Sequence, residues 1–289
     1  MKPEELNALI ALLDDPDESV YSHVKDKLID MGDAVIPLLE SAWEQQSLGM
    51  LFQDRVEEII HTIQFENTQN ALLEWSEKGG SNLLEGVLAI ARYQYPDLDE
   101  EQVKKQLKQI EKDIWLELND HLTALEKVNI MNHIIYDVHG FSGNTTNYHA
   151  PQNSYLNTVL ESKKGNPISL AVIFILVAQK LDLPIYGINL PRHFVLAYAD
   201  RLASPPDTPP EKQKVLFYIN PFSRGNVLSK REVEHFLKQL KIESKSKFFQ
   251  PCSNIATVKR ILNNLIYSYE KLGYPEKVEE LKKLYENIQ

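Results

Sequence analysis

The sequence predicts a mainly helical α+β fold. Three observations carry that expectation. The run from Ile168 to Leu181 is apolar nearly all the way round, as in a helix buried on every side. Three short β-rich runs follow, Ile185–Leu190, His193–Tyr198 and Val215–Ile219, enough for a small antiparallel sheet. Helical periodicity dominates the chain before and after this centre.

The elements follow in order. Residues 1–66 read as helices, with Leu6, Leu9, Ile10 and Leu13 on one stripe and Val20, Val24 and Leu28 on the next. Asp14-Asp15-Pro16-Asp17 turns the chain between them, and Gly32 is placed to close the second helix in the left-handed conformation. Ala34–Leu39 starts a third helix, and Phe52–Phe65 reads as a degenerate second copy of the repeat unit that these helices form. The order LLDDPDESV…GDAVIPLL resembles a HEAT-type unit, a helical hairpin that stacks on neighbours to bury its apolar face. Leu83–Ala91 is strongly apolar, Leu98–Leu125 reads as one long amphipathic helix, and Val128–Val138 as another. Phe141–Gln152 is rich in Gly, Asn and Thr and should be a loop, with a short helix at Ser154–Leu160.

Gly165 permits a tight turn into the central helix, Asn166 is its cap, and Pro167 suits its first position because no N–H partner is needed there. Ala199–Lys214, with four prolines, reads as an exposed loop between paired strands. Ser229 and Glu232 have capping-box spacing and open a further helix. Thr257–Tyr269 and Pro275–Tyr285 form a helical pair joined at Gly273, similar to one TPR unit.

Composition narrows the chemistry. The chain has 289 residues, 43% hydrophobic and 25% charged, ordinary for a globular protein with a core of useful size. A single cysteine, Cys252, excludes an internal disulfide and a Cys-rich zinc site. The eight histidines are scattered and no phosphate-binding glycine pattern occurs, so neither metal nor cofactor is expected. A formal net charge of −10 argues against nucleic acid as partner. The densest basic run, Lys238–Lys247, is broken by Glu243 and reads as a solvated face. The N-terminal apolar stretch is too short and acidic for a secretory signal, and no segment is long enough to span a membrane. A cytoplasmic protein is the expectation.

The stretch Gly165-Asn166-Pro167-Ile168-Ser169-Leu170-Ala171, with His193 and Asn220 on the β-rich runs behind it, resembles the transglutaminase-like superfamily, relatives of the papain-type cysteine enzymes. In that pattern Gly-x-Cys-x-x-x-Ala opens the central helix, a His sits on the next strands and an Asp ends a later strand. The resemblance puts Pro167 at the nucleophile's position, His193 at the His and Asn220 at the Asp. It sharpens to the bacterial SirB-type branch, with a transglutaminase-like core and TPR-like tail. The carriers are Tyr95-Pro96-Asp97-Leu98-Asp99, Gly140-Phe141-Ser142-Gly143-Asn144, Asn153-Ser154-Tyr155-Leu156-Asn157, Gly165-Asn166-Pro167-Ile168-Ser169-Leu170, Pro191-Arg192-His193-Phe194 and Ile219-Asn220-Pro221-Phe222. Within the branch an Asp usually stands where Ala150 is, and a Gly where Arg192 is. The implied organisation is a HEAT-like region at 1–66, a papain/transglutaminase-like core at 67–247 and a TPR-like hairpin at 248–289.

A papain-type site needs a thiolate at the helix start, an imidazole to take its proton and a third group to orient the imidazole. Proline supplies no nucleophile, so Pro167, His193 and Asn220 form a degenerate site. Two displaced nucleophiles stay open. Ser169 lies about 200° round the helix from Pro167 and would also serve as a capping hydroxyl; Cys252 would have to fold over the site. Arg192, His193, His149, Asn153 and Asn220 are the expected binding residues, with Arg192 favouring an anionic group such as a peptide carboxylate. The favoured reading is a catalytically inactive module that binds a protein or peptide. The alternatives are a hydrolase or acyltransferase using Ser169 or Cys252 with His193 as base, and a scaffold acting through its helical ends.

Overall fold

The structure, a computed structural model, describes residues 3–44, 49–200, 203 and 208–288. Part of the Pro-rich stretch between 199 and 214 therefore lies outside the described residues. The chain forms two compact units, Met1–Ala71 and Leu72–Gln289.

The first unit is helical: α1 (Pro3–Ala11), α2 (Glu18–Ile29), α3 (Ile36–Trp43) and the start of α4 (Met50–Glu77). Asp17 caps α2 by accepting from the Ser19 N–H, and Gly32 takes the expected left-handed conformation with φ of 60°. Leu6, Ile10, Leu13, Leu28, Leu39 and Phe52 meet in one apolar cluster. Arg55 is buried within this unit, and its guanidinium donates to Leu13 O at 2.9 Å and Asp15 O at 2.6 Å, fixing the turn after α1.

The second unit adds α5 (Leu83–Gln94), α6 (Glu100–Glu117), α7 (Ala124–Asn132), β1 (Ser142–Gly143), α8 (Leu156–Ser162), β2 (Lys164–Gly165) and α9 (Pro167–Lys180). It continues with β3 (Ile185–Leu190), β4 (His193–Ala199), β5 (Val215–Asn220), β6 (Asn226–Leu228), α10 (Lys230–Gln239), α11 (Asn254–Leu272) and α12 (Pro275–Asn287). The single helix expected over Leu98–Leu125 is broken. α6 stops at Glu117, Asn119 accepts from the His121 N–H, and Thr123 and Glu126 form a capping box that starts α7. Short polar side chains here offer the backbone local bonds that compete with the helix, and the apolar periodicity alone does not register them.

α9 is the centre of this unit. Every residue from Pro167 to Ala178 is buried. The four-stranded sheet has the order β3-β4-β5-β6, all antiparallel. One face packs Ile188, Leu190, Val195, Ala197 and Tyr218 against Val233 and Leu237 of α10. α9 packs on β3 and β4 but contributes nothing to that cluster, so it covers the opposite face, and β4 is buried on both sides. The parallel pair β1–β2 brings residues 142–144 beside the start of α9, where the Asn144 N–H donates to Gly165 O at 2.9 Å.

Gly165 sits where no side chain fits. A Cβ there would lie 2.5 Å from Ser169 Oγ. Gly165→Ala must displace the hydroxyl that caps α9, so it is expected to destabilise the protein by about 1–3 kcal/mol. A urea midpoint unchanged from the parent would show that the helix start yields more freely than this packing implies.

Candidate functional site

The start of α9 is held by reciprocal bonds. Asn166 Oδ1 accepts from the Ser169 N–H at 3.0 Å, and Ser169 Oγ accepts from the Asn166 N–H at 3.0 Å. The same hydroxyl donates toward Asn166 O at 3.2 Å, and Asn166 Nδ2 donates to Ser154 Oγ at 2.8 Å. Pro167 occupies the first helical position and is buried. The Ser169 hydroxyl is thus a buried capping group with both donor and acceptor capacity used.

A second set of bonds hangs a loop over this start. Asn153 is buried and donates from Nδ2 to Asn147 O at 2.7 Å and Tyr148 O at 3.1 Å. Asn144 Nδ2 donates to Asn153 Oδ1 at 2.9 Å, and the Asn166 N–H also reaches Asn153 O at 3.4 Å. Asn153 therefore positions Tyr148 and His149 and is not itself a wall of the cavity they line. Tyr148 meets Phe222 edge to face at 5.6 Å, and His149 meets Tyr267 of α11 at 5.4 Å.

The cavity has a volume of about 550 Å³ and is lined by Tyr148, His149, Asn166, Arg192, Arg260, Asn264, Tyr267 and Ser268. Arg192 forms the tip of the β3–β4 hairpin, with φ of 61°. That left-handed conformation suits glycine and strains a residue with a Cβ. The Arg192 side chain is exposed and has no hydrogen-bond or ion-pair partner among the described residues. Arg260 is half-buried and clamps the hairpin, donating to Asn189 Oδ1 at 2.8 Å, Leu190 O at 3.0 Å and His193 O at 3.3 Å. Its acceptors are all neutral. Burial lowers its pKa, yet a guanidinium stays charged in a protein. No carboxylate lines this cavity among the described residues, which leaves it positive.

His193 and Asn220 are not among the residues that line that cavity, although Arg260 of its wall donates to His193 O. His193 alternates with Val195 and Ala197 on the α10 side of the sheet, and its ring lies 5.5 Å from that of Phe236. Burial lowers the His193 pKa, the hydrogen bond with Asn220 works the other way, and the Arg260 charge adds to the lowering. Asn220 Oδ1 also accepts from the Phe222 and Ser223 N–H groups at 3.2 and 3.3 Å, capping the turn after β5. Neither Ser169 Oγ nor Cys252 Sγ is a partner of the His193 ring among the described residues. Cys252 pins its segment to β3 through its N–H on Gly187 O at 2.8 Å; its thiol lies 3.6 Å from Thr257 Oγ1, and burial pushes its pKa up. Of the sequence-derived set, then, Arg192 and His149 share the cavity, Asn153 supports it, and His193 and Asn220 lie outside its lining. Sequence reading passed over Arg260, Asn264 and Tyr267. Their i, i+4, i+7 spacing on α11 was the signal that could have found them. Among the described residues no group of three or more His, Cys, Asp or Glu side chains is placed to hold a metal ion.

The chain matches the family described as the transglutaminase-like superfamily over residues 101–263. It is 39% identical over 114 residues to a UPF0162 protein of Xylella fastidiosa, covering 39% of this chain and 41% of that protein. A UPF0162 protein of Vibrio cholerae is 27% identical over 155 residues, 54% of this chain and 53% of the relative. The human F-box only protein 21 is 26% identical over 153 residues, 52% of this chain but 22% of the longer protein. The matches thus span at most about half the length of these curated relatives. The bacterial relatives fit the SirB-type branch. No solved structure was found to match the chain. No helix among the described residues is long and apolar enough to cross a membrane.

Two measurements test this geometry. Arg192→Gly relieves the left-handed strain and is expected to raise stability by about 0.5–1 kcal/mol; a loss of stability would mean the side chain makes contacts that outweigh the strain. The His193 pKa is lowered on folding. Its contribution to stability is therefore complete above the unfolded value of about 6.5 and is lost as pH falls through the folded value. His193→Phe should flatten the fall in urea midpoint as pH drops below about 6.5. Parallel profiles for parent and variant would remove His193 from the acid sensitivity.

Proposed function

We propose that this chain, which belongs to the transglutaminase-like superfamily, is a non-catalytic member of it that binds a protein or peptide segment in the cavity beside α9. The observation that carries this reading is the start of the central helix. Pro167 fills the place of the family's nucleophile and offers neither a reactive side chain nor an N–H. The hydroxyl two residues further on, Ser169, is committed to the cap as donor and as acceptor. Cys252, with a raised pKa and a hydroxyl partner, lacks the electropositive, acidified surroundings of a reactive thiolate. The His193 ring meets Phe236 and Asn220 and faces no nucleophile.

What the site retains is recognition chemistry. Two guanidinium groups without a carboxylate partner line a cavity large enough for a few side chains, between tyrosine rings and amide groups. A carboxylate is the natural complement, accepting two parallel bonds from a guanidinium fork. The match of half this chain to a fraction of F-box only protein 21 supports a module used as one part of larger proteins.

Labelling separates this reading from a hydrolase or acyltransferase. Serine-directed fluorophosphonate and thiol-directed iodoacetamide reporters are expected to leave Ser169 unmodified and to modify Cys252 no faster than a buried, unactivated thiol. Rapid modification of either residue that His193→Ala abolishes would establish a displaced nucleophile and overturn the proposal.

A further inference from the structure

The cavity beside α9 does not end at His149. A second cavity, of about 480 Å³, adjoins it and shares His149 and Ser268 as walls. Its lining includes Lys271, Lys277, Gln94, Asn147 and Tyr274, and again no carboxylate among the described residues. The chain carries 41 acidic against 31 Lys and Arg residues. The walls of the two adjoining cavities carry four cations and no Asp or Glu, inverting the charge of the sequence as a whole, with Glu280, outside the lining, as the carboxylate that acts on Lys277.

α11 organises the pair. Arg260, Asn264, Tyr267 and Lys271 recur at steps of four, three and four residues, which puts them along one face of the helix. Arg260 lies at one end of that stripe and Lys271 at the other, about 16 Å apart at the α-helical rise. Lys271 Nζ is held at the join, 3.4 Å from His149 Nε2 and 4.9 Å from the centre of the Tyr267 ring. Lys277 stands further along, over the rings of Tyr93 and Tyr269 and bonded to Gln94 Oε1 at 2.6 Å.

We infer that the two cavities form one groove for an extended acidic peptide segment, with one carboxylate at Arg192 and Arg260 and a second at Lys271 and Lys277. This rests on the binding reading above and deepens it. An extended chain advances about 3.3 Å per residue, so the two carboxylates stand about five residues apart. Between them the walls present Asn264, Asn147, Ser268 and tyrosine hydroxyls, which suit the N–H and C=O groups of a peptide backbone. The charge balance favours a short acidic segment over a nucleic acid strand. A strand carries a phosphate at every step and would leave the groove for the acidic remainder of a chain with net charge −10.

The test uses the full chain, immobilised, and a displayed library of random nine-residue peptides. Enriched sequences are resynthesised and their affinities read by fluorescence anisotropy. The expected result is a pair of Asp or Glu residues about four to six positions apart. Affinity for such a peptide should fall about tenfold or more in Lys271→Glu, and likewise in Arg192→Glu. Both side chains are exposed, and thermal melts check that both variants fold. Enrichment of a single acidic position, weakened by Arg192→Glu but indifferent to Lys271→Glu, overturns the second half of the groove and leaves the binding reading standing. No enrichment above the blank support overturns both. A single-stranded oligonucleotide that displaces the best peptide and binds tighter, with the same dependence on Arg192 and Lys271, overturns the assignment to a peptide.

Discussion

The second unit depends on one constraint: a helix buried on every side must have its first N–H groups satisfied by protein groups, because an unpaired buried donor is costly. α9 meets it with three consecutive choices. Pro167 removes one orphan donor, Asn166 satisfies a second, and Ser169 returns a bond to the Asn166 backbone. Ser154 then holds the Asn166 amide, and the Asn166 N–H reaches Asn153 O. The loop carrying Tyr148 and His149 is hung from the same Asn153 side chain. The cavity wall is therefore an extension of the helix cap, and a residue that fails in the cap fails in the cavity too.

The opposite wall follows from a buried cation. Arg260 brings a guanidinium under the β3–β4 hairpin and finds three neutral oxygens there. A half-buried charge with its donors satisfied is tolerable where an unpartnered one is not. Had any of the three acceptors been a carboxylate, the charge would have been spent within the protein. As built, it fixes the hairpin and still projects a positive field into the space that Arg192 overlooks. The strained backbone of Arg192 fits the same logic, since strain of this kind persists where the surroundings over-determine it and gathers at binding sites.

Much of this was legible in the sequence where the chemistry is local. Gly165-Asn166-Pro167 declares a helix start with its cap, the apolar run behind it declares burial, and the β-rich runs after it declare a small sheet. The missing nucleophile at Pro167 is equally local. What escaped is what requires distance. Arg260 reads in sequence as an ordinary exposed position on an amphipathic tail helix, and only the docking of α11 on the hairpin makes it a wall of the cavity. The face of the sheet occupied by His193 follows from alternation, but which helix covers that face does not. The break between α6 and α7 was written in Asn119, Thr123 and Glu126, and was outvoted by the apolar periodicity on either side.

Cys252 has a use of a different kind. It is the only cysteine in the chain, and its N–H bond to Gly187 seats it against β3 at the foot of α11. A thiol reagent in excess reaches it at a rate set by how often that seat opens. Its modification kinetics thus report the local opening free energy of the segment that leads into α11, separately from global unfolding. With no other thiol in the chain, a single mass shift is assigned without ambiguity, so the protein carries its own clock for motion beside the groove.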